Sequence, residues 1–268
     1  MNVPGRTANW AQKWSFTLKC QLFAIGMWKI INLFQGAVIF TWTAVCAVLG
    51  LLLLVLTMNR KWAHRVNGYY LWAPLVTAVA GVKVKLHGTI DIPRNEKCIL
   101  VANHESLFDI VALARVVDRP LFFIAKKELK KVPFMGWYMV LIGMVFVDRG
   151  DRTEAMKSMK AAARKIEKGL TIIAFPEGTR SKSPKLMMFK RGSFTLAKEA
   201  QAPIVPIGIA GSREVIAPGT FRLRPGTIRV EIGNIILPEV FNTYHVDAMA
   251  SEARKQVESL IAAAKGRP

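Results

Sequence analysis

From Val82 onward, apolar and polar positions follow a regular rhythm. VKVKLH alternates at period two, as a half-buried strand does, and CILVA is a compact apolar run. Short β-rich runs then alternate with helix-length segments: LFFIA before a helix from Pro133, MVFVD before a charged helix over Thr153–Lys168, and LTIIAF before a helix around Ser193–Ala200. IVPIGI and TIRVEIG add strands, and a helix follows near Ser251–Ala264. The rhythm predicts an α/β domain over residues 82–268, a largely parallel sheet flanked by helices.

The preceding region, residues 1–81, is of another kind. Ile30 to Met58 carries no charged residue. As one helix it would run about 44 Å against a hydrocarbon core of about 30 Å, so it must tilt, bend or lie partly in the interface. Gly36 and Gly50 are the expected bend points. A cleaved signal peptide fits poorly, because the apolar run is too long and Asn59-Arg60-Lys61 is no small-residue cleavage site. Basic residues flank the run on both sides, Lys13, Lys19 and Lys29 before it and Arg60, Lys61 and Arg65 after it, which leaves spanning and re-entrant arrangements open. A second apolar stretch, Tyr69–Val82, is short for a span and is expected to pack against the first or lie in the interface. The competing reading makes both stretches buried helices of a soluble core. Retained attachment to a membrane by N-terminal helices is the expectation taken forward.

Charge narrows the partners. A formal net charge of +20 calls for something anionic: nucleic acid, an anionic membrane surface or a phosphorylated substrate. The basic residues form no recognisable nucleic-acid module and few aromatics interleave with them, which speaks against nucleic acid. Cys20, Cys46 and Cys98 have no metal-ligand spacing and read as structural thiols, and no metal constellation is visible.

The polar clusters fall where chemistry is expected. NHESLFD follows ILVA, KKELKK follows FFIA, DRGDR follows MVFV and PEGTRSK follows TIIAF. Four clusters just beyond four strand ends would converge on one edge of an open parallel sheet, where ligands bind. His104 and Asp109 stand five residues apart, which on a continuous helix separates them by roughly 140°. They meet if His104 lies on the loop before the helix and Asp109 on its first turn, the carboxylate fixing the tautomer and leaving the other ring nitrogen as a base. The bland alternative is a capping box, Ser106 to Asp109. On these letters alone both readings stand. In the other cluster, Phe175-Pro176-Glu177-Gly178-Thr179-Arg180-Ser181 joins a rigid proline, a glycine that admits close approach and an arginine suited to phosphate.

With GMVFVDR at Gly143–Arg149, FKRG at Phe189–Gly192 and APIVPI at Ala202–Ile207, the chain resembles the glycerolipid acyltransferases, specifically the 1-acylglycerol-3-phosphate acyltransferases. The HxxxxD motif is met in NHESLFD, the second motif in GMVFVDR and the third in FPEGTRS, while AKKEL at Ala125–Leu129 and VPFMGW also look like that family. The resemblance spans roughly Val82–Gly211; the segment from Ser212 carries no recognised motif. It implies acyl transfer from acyl-CoA or acyl-carrier protein to the sn-2 hydroxyl of lysophosphatidic acid, giving phosphatidic acid. His104 would be the base and Asp109 its orienting carboxylate. Lys126, Arg149, Arg180 and Lys190 would bind phosphate; Gly178 and Thr179 would belong to the substrate turn; Glu177 would hold the glycerol moiety or orient an arginine. No cofactor is implied beyond the acyl donor, and the partners are membrane lipids. The location implied is a membrane, the bacterial inner membrane with the catalytic domain on its cytoplasmic face. Other lysolipids, a lyso-ornithine lipid or glycerol 3-phosphate as acceptor, and a non-catalytic basic membrane adaptor, are the alternatives.

Overall fold

The computed structural model describes residues 8–148, 150, 158, 162–163, 166, 170–181, 183–243 and 245–267, the side chains of 8–25 and 241–243 excepted. Seven strands form one sheet: β1 Val82–His87, β2 Cys98–Ala102, β3 Leu121–Lys126, β4 Val145–Val147, β5 Thr171–Ala174, β6 Ile204–Ala210 and β7 Gly226–Ile232, in the order β1-β7-β6-β2-β5-β3-β4. The run β6-β2-β5-β3-β4 is parallel throughout, whereas β7 is antiparallel to β6 and β1 runs parallel to β7. The α/β reading therefore holds, with a reversed pair at one side. Central β2 is buried at every residue, which is why it reads as an unbroken apolar run rather than an alternation.

Helices cover both faces. Five of them run as α1 Ala8–Thr57, α2 Arg60–Arg65, α3 Ala73–Ala80, α4 Phe108–Val116 and α5 Met135–Ile142. They are followed by α6 Gly192–Ala200, α7 Ser212–Val215, α8 Pro238–Thr243 and α9 Val246–Gly266. One core layer joins the sheet to α5, α6 and α9, the other to α3 and α4. The last helix is longer than its apolar pattern suggested, although its buried residues Ala253, Val257, Ile261 and Ala264 keep the expected spacing. The charged helix expected over Thr153–Lys168 lies largely outside the described residues; Ala162, Ala163 and Ile166 are helical and buried.

The N-terminal helix runs unbroken through both glycines, so neither is a break. Gly50 serves close approach instead: a Cβ there would stand 2.4 Å from Tyr138 Cε2 and 2.7 Å from Asn67 Nδ2. The stretch Gly26–Thr57 is long and apolar enough to cross a membrane, and only 17% of its most apolar window is buried, far from the pattern of a soluble core helix. Its exposed residues, Ile30, Leu33, Phe34, Phe40, Val48, Leu52 and Val55, recur at helical spacing and form one apolar stripe. The opposite face is bound to the α/β domain at widely spaced points. Asn32 exchanges two hydrogen bonds with the backbone of Leu223, donating to its carbonyl at 2.9 Å and accepting from its N–H at 3.2 Å. Leu51 and Leu54 pack on one core layer, Ile39 and Trp42 on the other. From Asn32 to Gly50 is about 27 Å of helix. The helix thus lies across the domain rather than projecting from it.

The second apolar stretch packs against the first: a π-helical turn over Val66–Trp72 leads into α3, Trp42 donates to Leu71 O, Trp72 to Thr43 Oγ1 and Gln35 to Val79 O. Between them, buried His64 ties α2 to the sheet. Its Nε2 lies 2.7 Å from the Leu121 carbonyl and its Nδ1 2.8 Å from the Tyr138 hydroxyl. Burial pushes this histidine down to about 4, so the neutral ring donates through Nε2 and accepts at Nδ1.

Candidate active site

Because β2, β5, β3 and β4 are consecutive and parallel, their carboxyl ends line one edge, and the clusters after β2, β3 and β5 share it. The fourth, after β4, includes Arg149, which lies outside the described residues. Asn103, just beyond β2, is buried and acts as a surrogate strand residue: it donates to Ile209 O at 2.9 Å and accepts from Ile209 N–H at 2.8 Å. That pairing holds the next residue, His104, at the rim of the sheet.

His104 is on the loop and Asp109 on the first turn of α4. Their side chains meet, Nδ1 to Oδ2 at 2.8 Å. A carboxylate accepts from a neutral ring, so Nδ1 carries the proton and Nε2 its lone pair. The imidazole is 14% exposed and stacks on Phe175, centroids 4.1 Å apart with planes at 18°. Asp109 is wholly buried, and its Oδ2 also accepts the N–H groups of Glu105 and Ser106, each at 2.8 Å. The Ser106 bond is the carboxylate half of a capping box. Cap and dyad are therefore one construction around one oxygen. The Ser106 hydroxyl accepts from Phe108 N–H at 3.2 Å and donates to Ile216 O at 2.8 Å, so it is spent on structure.

The FPEGTRS turn grips the same histidine by its backbone. Glu177 Oε1 accepts His104 N–H at 2.7 Å, and Ser181 N–H donates to His104 O at 2.8 Å. The other oxygen of Glu177 accepts Met187 N–H at 3.1 Å, and the residue is 3% exposed. Both oxygens of Glu177 accept backbone donors inside the protein, which gives the residue a structural part in holding His104 beside the role expected from the sequence. Burial pushes its carboxyl upward, opposed by the hydrogen bonds from His104 and Met187.

The remaining site residues divide into two places. Gly178 has φ +76°, a conformation glycine adopts without strain, and a Cβ on it would lie 2.8 Å from Lys190 Nζ. Lys190 is thereby laid over the turn, its own N–H bonded to Pro176 O at 2.9 Å. Thr179 is exposed beside them, and half-buried Arg180 has no ion-pair partner among the described residues. These four form a cationic corner next to the dyad. Lys126, by contrast, ends β3 two strands away and is exposed in a 3.3 Å pair with Glu128, an arrangement of little energetic weight. No group of three His, Cys, Asp or Glu side chains suited to a metal ion occurs among the described residues.

Two further residues belong to this network. Glu105 is buried with Arg213 Nε 3.6 Å from its carboxylate. Arg213 also donates to Ser181 O at 2.5 Å and Ser183 O at 2.7 Å, fastening the FPEGTRS turn to the residue after the histidine. Burial lifts Glu105 to about 7, opposed by Arg213 and reinforced by nearby Asp109. Nothing in the sequence marked Arg213, which follows the last recognised motif.

Comparison with known proteins places these features in company. The Acyltransferase family model matches residues 83–210. An uncharacterized acyltransferase of Schizosaccharomyces pombe is 34% identical over 199 residues, 72% of this chain and 71% of that protein. A 1-acyl-sn-glycerol-3-phosphate acyltransferase of Chlamydomonas reinhardtii is 32% identical over 249 residues, 92% of this chain and 67% of its own length. The Saccharomyces cerevisiae protein of the same name is 34% identical over 180 residues, and the match spans 59% of it. Among solved structures, the 1-acyl-sn-glycerophosphate (LPA) acyltransferase of Thermotoga maritima superposes with a TM-score of 0.77 at 28% identity, covering 90% of this chain and 99% of that one.

Proposed function

Because the chain belongs to the acyltransferase family, we propose that it moves a fatty acyl group from a thioester, acyl-CoA or acyl-carrier protein, to the sn-2 hydroxyl of 1-acyl-glycerol-3-phosphate, forming phosphatidic acid. The observation that carries the reading is the His104–Asp109 pair, with Nε2 left as a base at the ligand edge of the sheet. His104 Nε2 takes the hydroxyl proton as the oxygen attacks the thioester carbonyl. Asp109 holds the ring and balances the positive charge it gains, and on collapse the thiolate leaves and the proton passes to its sulfur. A positioned base of this kind contributes typically about 10²–10⁴ in rate. Base, nucleophile and leaving group account for every atom, so the step as written needs no bound cofactor.

Arg180 and Lys190 are assigned to the acceptor phosphate, with the Gly178 backbone and Thr179 beside them; Lys126 is assigned to an anionic group further along the edge, and Arg149, outside the described residues, is assigned to phosphate from its motif alone. The apolar stripe of α1 supports attachment to a membrane, and a cytoplasmic-face bacterial inner-membrane location agrees with the basic domain. With the helix fastened across the domain, an in-plane attachment keeps the charged sheet edge out of hydrocarbon.

The test is lipid product analysis with purified protein against a panel of lysolipids, glycerol 3-phosphate and both donor types. Lysophosphatidic acid should be the preferred acceptor. His104→Ala should lose at least about 10² in turnover while staying with the membrane fraction, and Arg180→Ala should raise KM selectively for phosphorylated acceptors. Near-wild-type turnover by His104→Ala, or no thioester consumption with any acceptor, would refute the proposal.

A further inference from the structure

The segment between α7 and β7, Ala217–Pro225, is bound at both ends and bare at its tip. Ile216 O accepts the hydroxyl of Ser106, the residue that caps the catalytic helix. Arg224 N–H donates to Val215 O at 2.9 Å, closing the loop on itself, and Thr220 turns back on Ala217 O through both its N–H and its hydroxyl. Leu223 is buried and clamped by Asn32 of α1. Between these ties Phe221 is 94% exposed, with Arg222 and Arg224 exposed on either side of Leu223. Because β7 runs antiparallel to β6, its first residues lie at the carboxyl end of β6, so the loop stands on the same edge as His104.

The clamp decides what the tip is next to. Asn32 lies on the inner face of α1, and Ile30, Leu33 and Phe34 of the same turns are strongly exposed on the outer face, so the clamp seats the loop and its exposed Phe221 at the end of the helix that carries this part of the stripe. Lys29 precedes Ile30 on the helix, Arg222 and Arg224 are exposed on either side of the clamped Leu223, and Ala217–Pro225 contains no carboxylate. An aromatic tip beside guanidinium groups matches the boundary between acyl chains and anionic headgroups. A second copy of the chain would bring like charges together, which disfavours it as the occupant.

We infer that Ala217–Pro225 is a second lipid contact, Phe221 entering the acyl region of an anionic leaflet while Arg222 and Arg224 bind headgroup phosphates. The loop then joins that surface to the cap of the catalytic helix and sets the level at which a lipid acceptor meets His104. This rests on the membrane attachment of α1, not on which acceptor is used.

The experiment places a nitroxide on Phe221→Cys in a Cys20→Ser background. The full chain is reconstituted into phosphatidylcholine vesicles with and without phosphatidylglycerol, with a label on exposed Ser251→Cys of α9 as the aqueous reference. The label at 221 should be several-fold less accessible than the reference to a water-soluble nickel chelate and more accessible to oxygen, with greater shielding when phosphatidylglycerol is present. Arg222→Glu with Arg224→Glu should undo that extra shielding. Equal chelate accessibility at the two positions overturns the inference, as does dipolar broadening between 221 labels, which would mark a chain-to-chain contact. Indifference of the shielding to lipid charge overturns the headgroup contact. Failure of the chain to remain with vesicles removes the attachment of α1 together with this inference, whereas product analysis in detergent reads the proposed reaction separately.

Discussion

Replacing Glu177 by glutamine separates a strut from a substrate ligand, because the side chain keeps its shape but can present one acceptor where the structure uses two. The oxygen should go to His104 N–H, the shorter bond at 2.7 Å, which turns the NH₂ against Met187 N–H. One buried bond is replaced by two facing donors, at about 1–3 kcal/mol, and the surviving bond loses its ionic character, at about 1 kcal/mol more. Relief from burying a carboxylate offsets part of this, leaving a net loss of about 2 kcal/mol. For a chain of this size that corresponds to a melting temperature lower by roughly 4–8 °C. The rate should suffer more than the stability. His104 is held through its backbone on both sides, and misplacement of a reacting group by about 1 Å costs on the order of 10² in rate. Thermal unfolding in detergent, with steady-state kinetics at varied acceptor, measures both. The expected pattern is a lower melting temperature and a lower kcat with little change in acceptor KM. An unchanged melting temperature with a KM raised more than about ten-fold would show that Glu177 binds substrate and that the strut assignment is wrong.

Two further substitutions test the surroundings. Glu105, lifted by burial to about 7 from an ordinary 4.5, keeps a proton in the folded state that the unfolded chain has already released. Its contribution to stability is therefore lost as pH rises across that interval, by something on the order of 3 kcal/mol. Glu105→Gln should flatten the fall in melting temperature over this range, and parallel profiles for the two proteins would refute it. Gly50→Ala improves intrinsic helix propensity by about 1 kcal/mol but drives a methyl into Tyr138 and Asn67, with an overpacking penalty of about 1–3 kcal/mol. The melting temperature should fall, and a rise would show that the helix is not held at that crossing.

The sheet and the dyad were legible because both leave periodic or spaced traces. Apolar runs of strand length ending in polar clusters located the ligand edge, and the five-residue spacing of His104 and Asp109 admitted contact only across a helix start, where the pair lies. What escaped the sequence acts through the main chain or through distance. Ile216 contributes a carbonyl, which has no letter of its own, and Arg213 is one basic residue among 38 Lys and Arg. The reversal of β7 and β1 leaves no trace in composition, since a strand reads alike in either direction. Gly50 was a bend candidate because glycine weakens a helix; its actual partner, Tyr138, is far along the chain. The letters of FPEGTRS do not show that Glu177 accepts two backbone donors, because His104 N–H and Met187 N–H reach it from separate parts of the chain.

The tie between Asn32 and Leu223 joins residues 191 positions apart. A ribosome adding about 5–20 residues per second needs roughly 10–40 s to pass from one to the other. Throughout that delay the first long helix exists without the surface that will cover its inner face, while its outer stripe never acquires a protein partner among the described residues. A leaflet is available from the start. With α1 as the membrane attachment proposed above, the order of assembly is anchor first and enzyme second: the helix meets lipid while the sheet is still unmade, and the catalytic domain is built against a helix already in place.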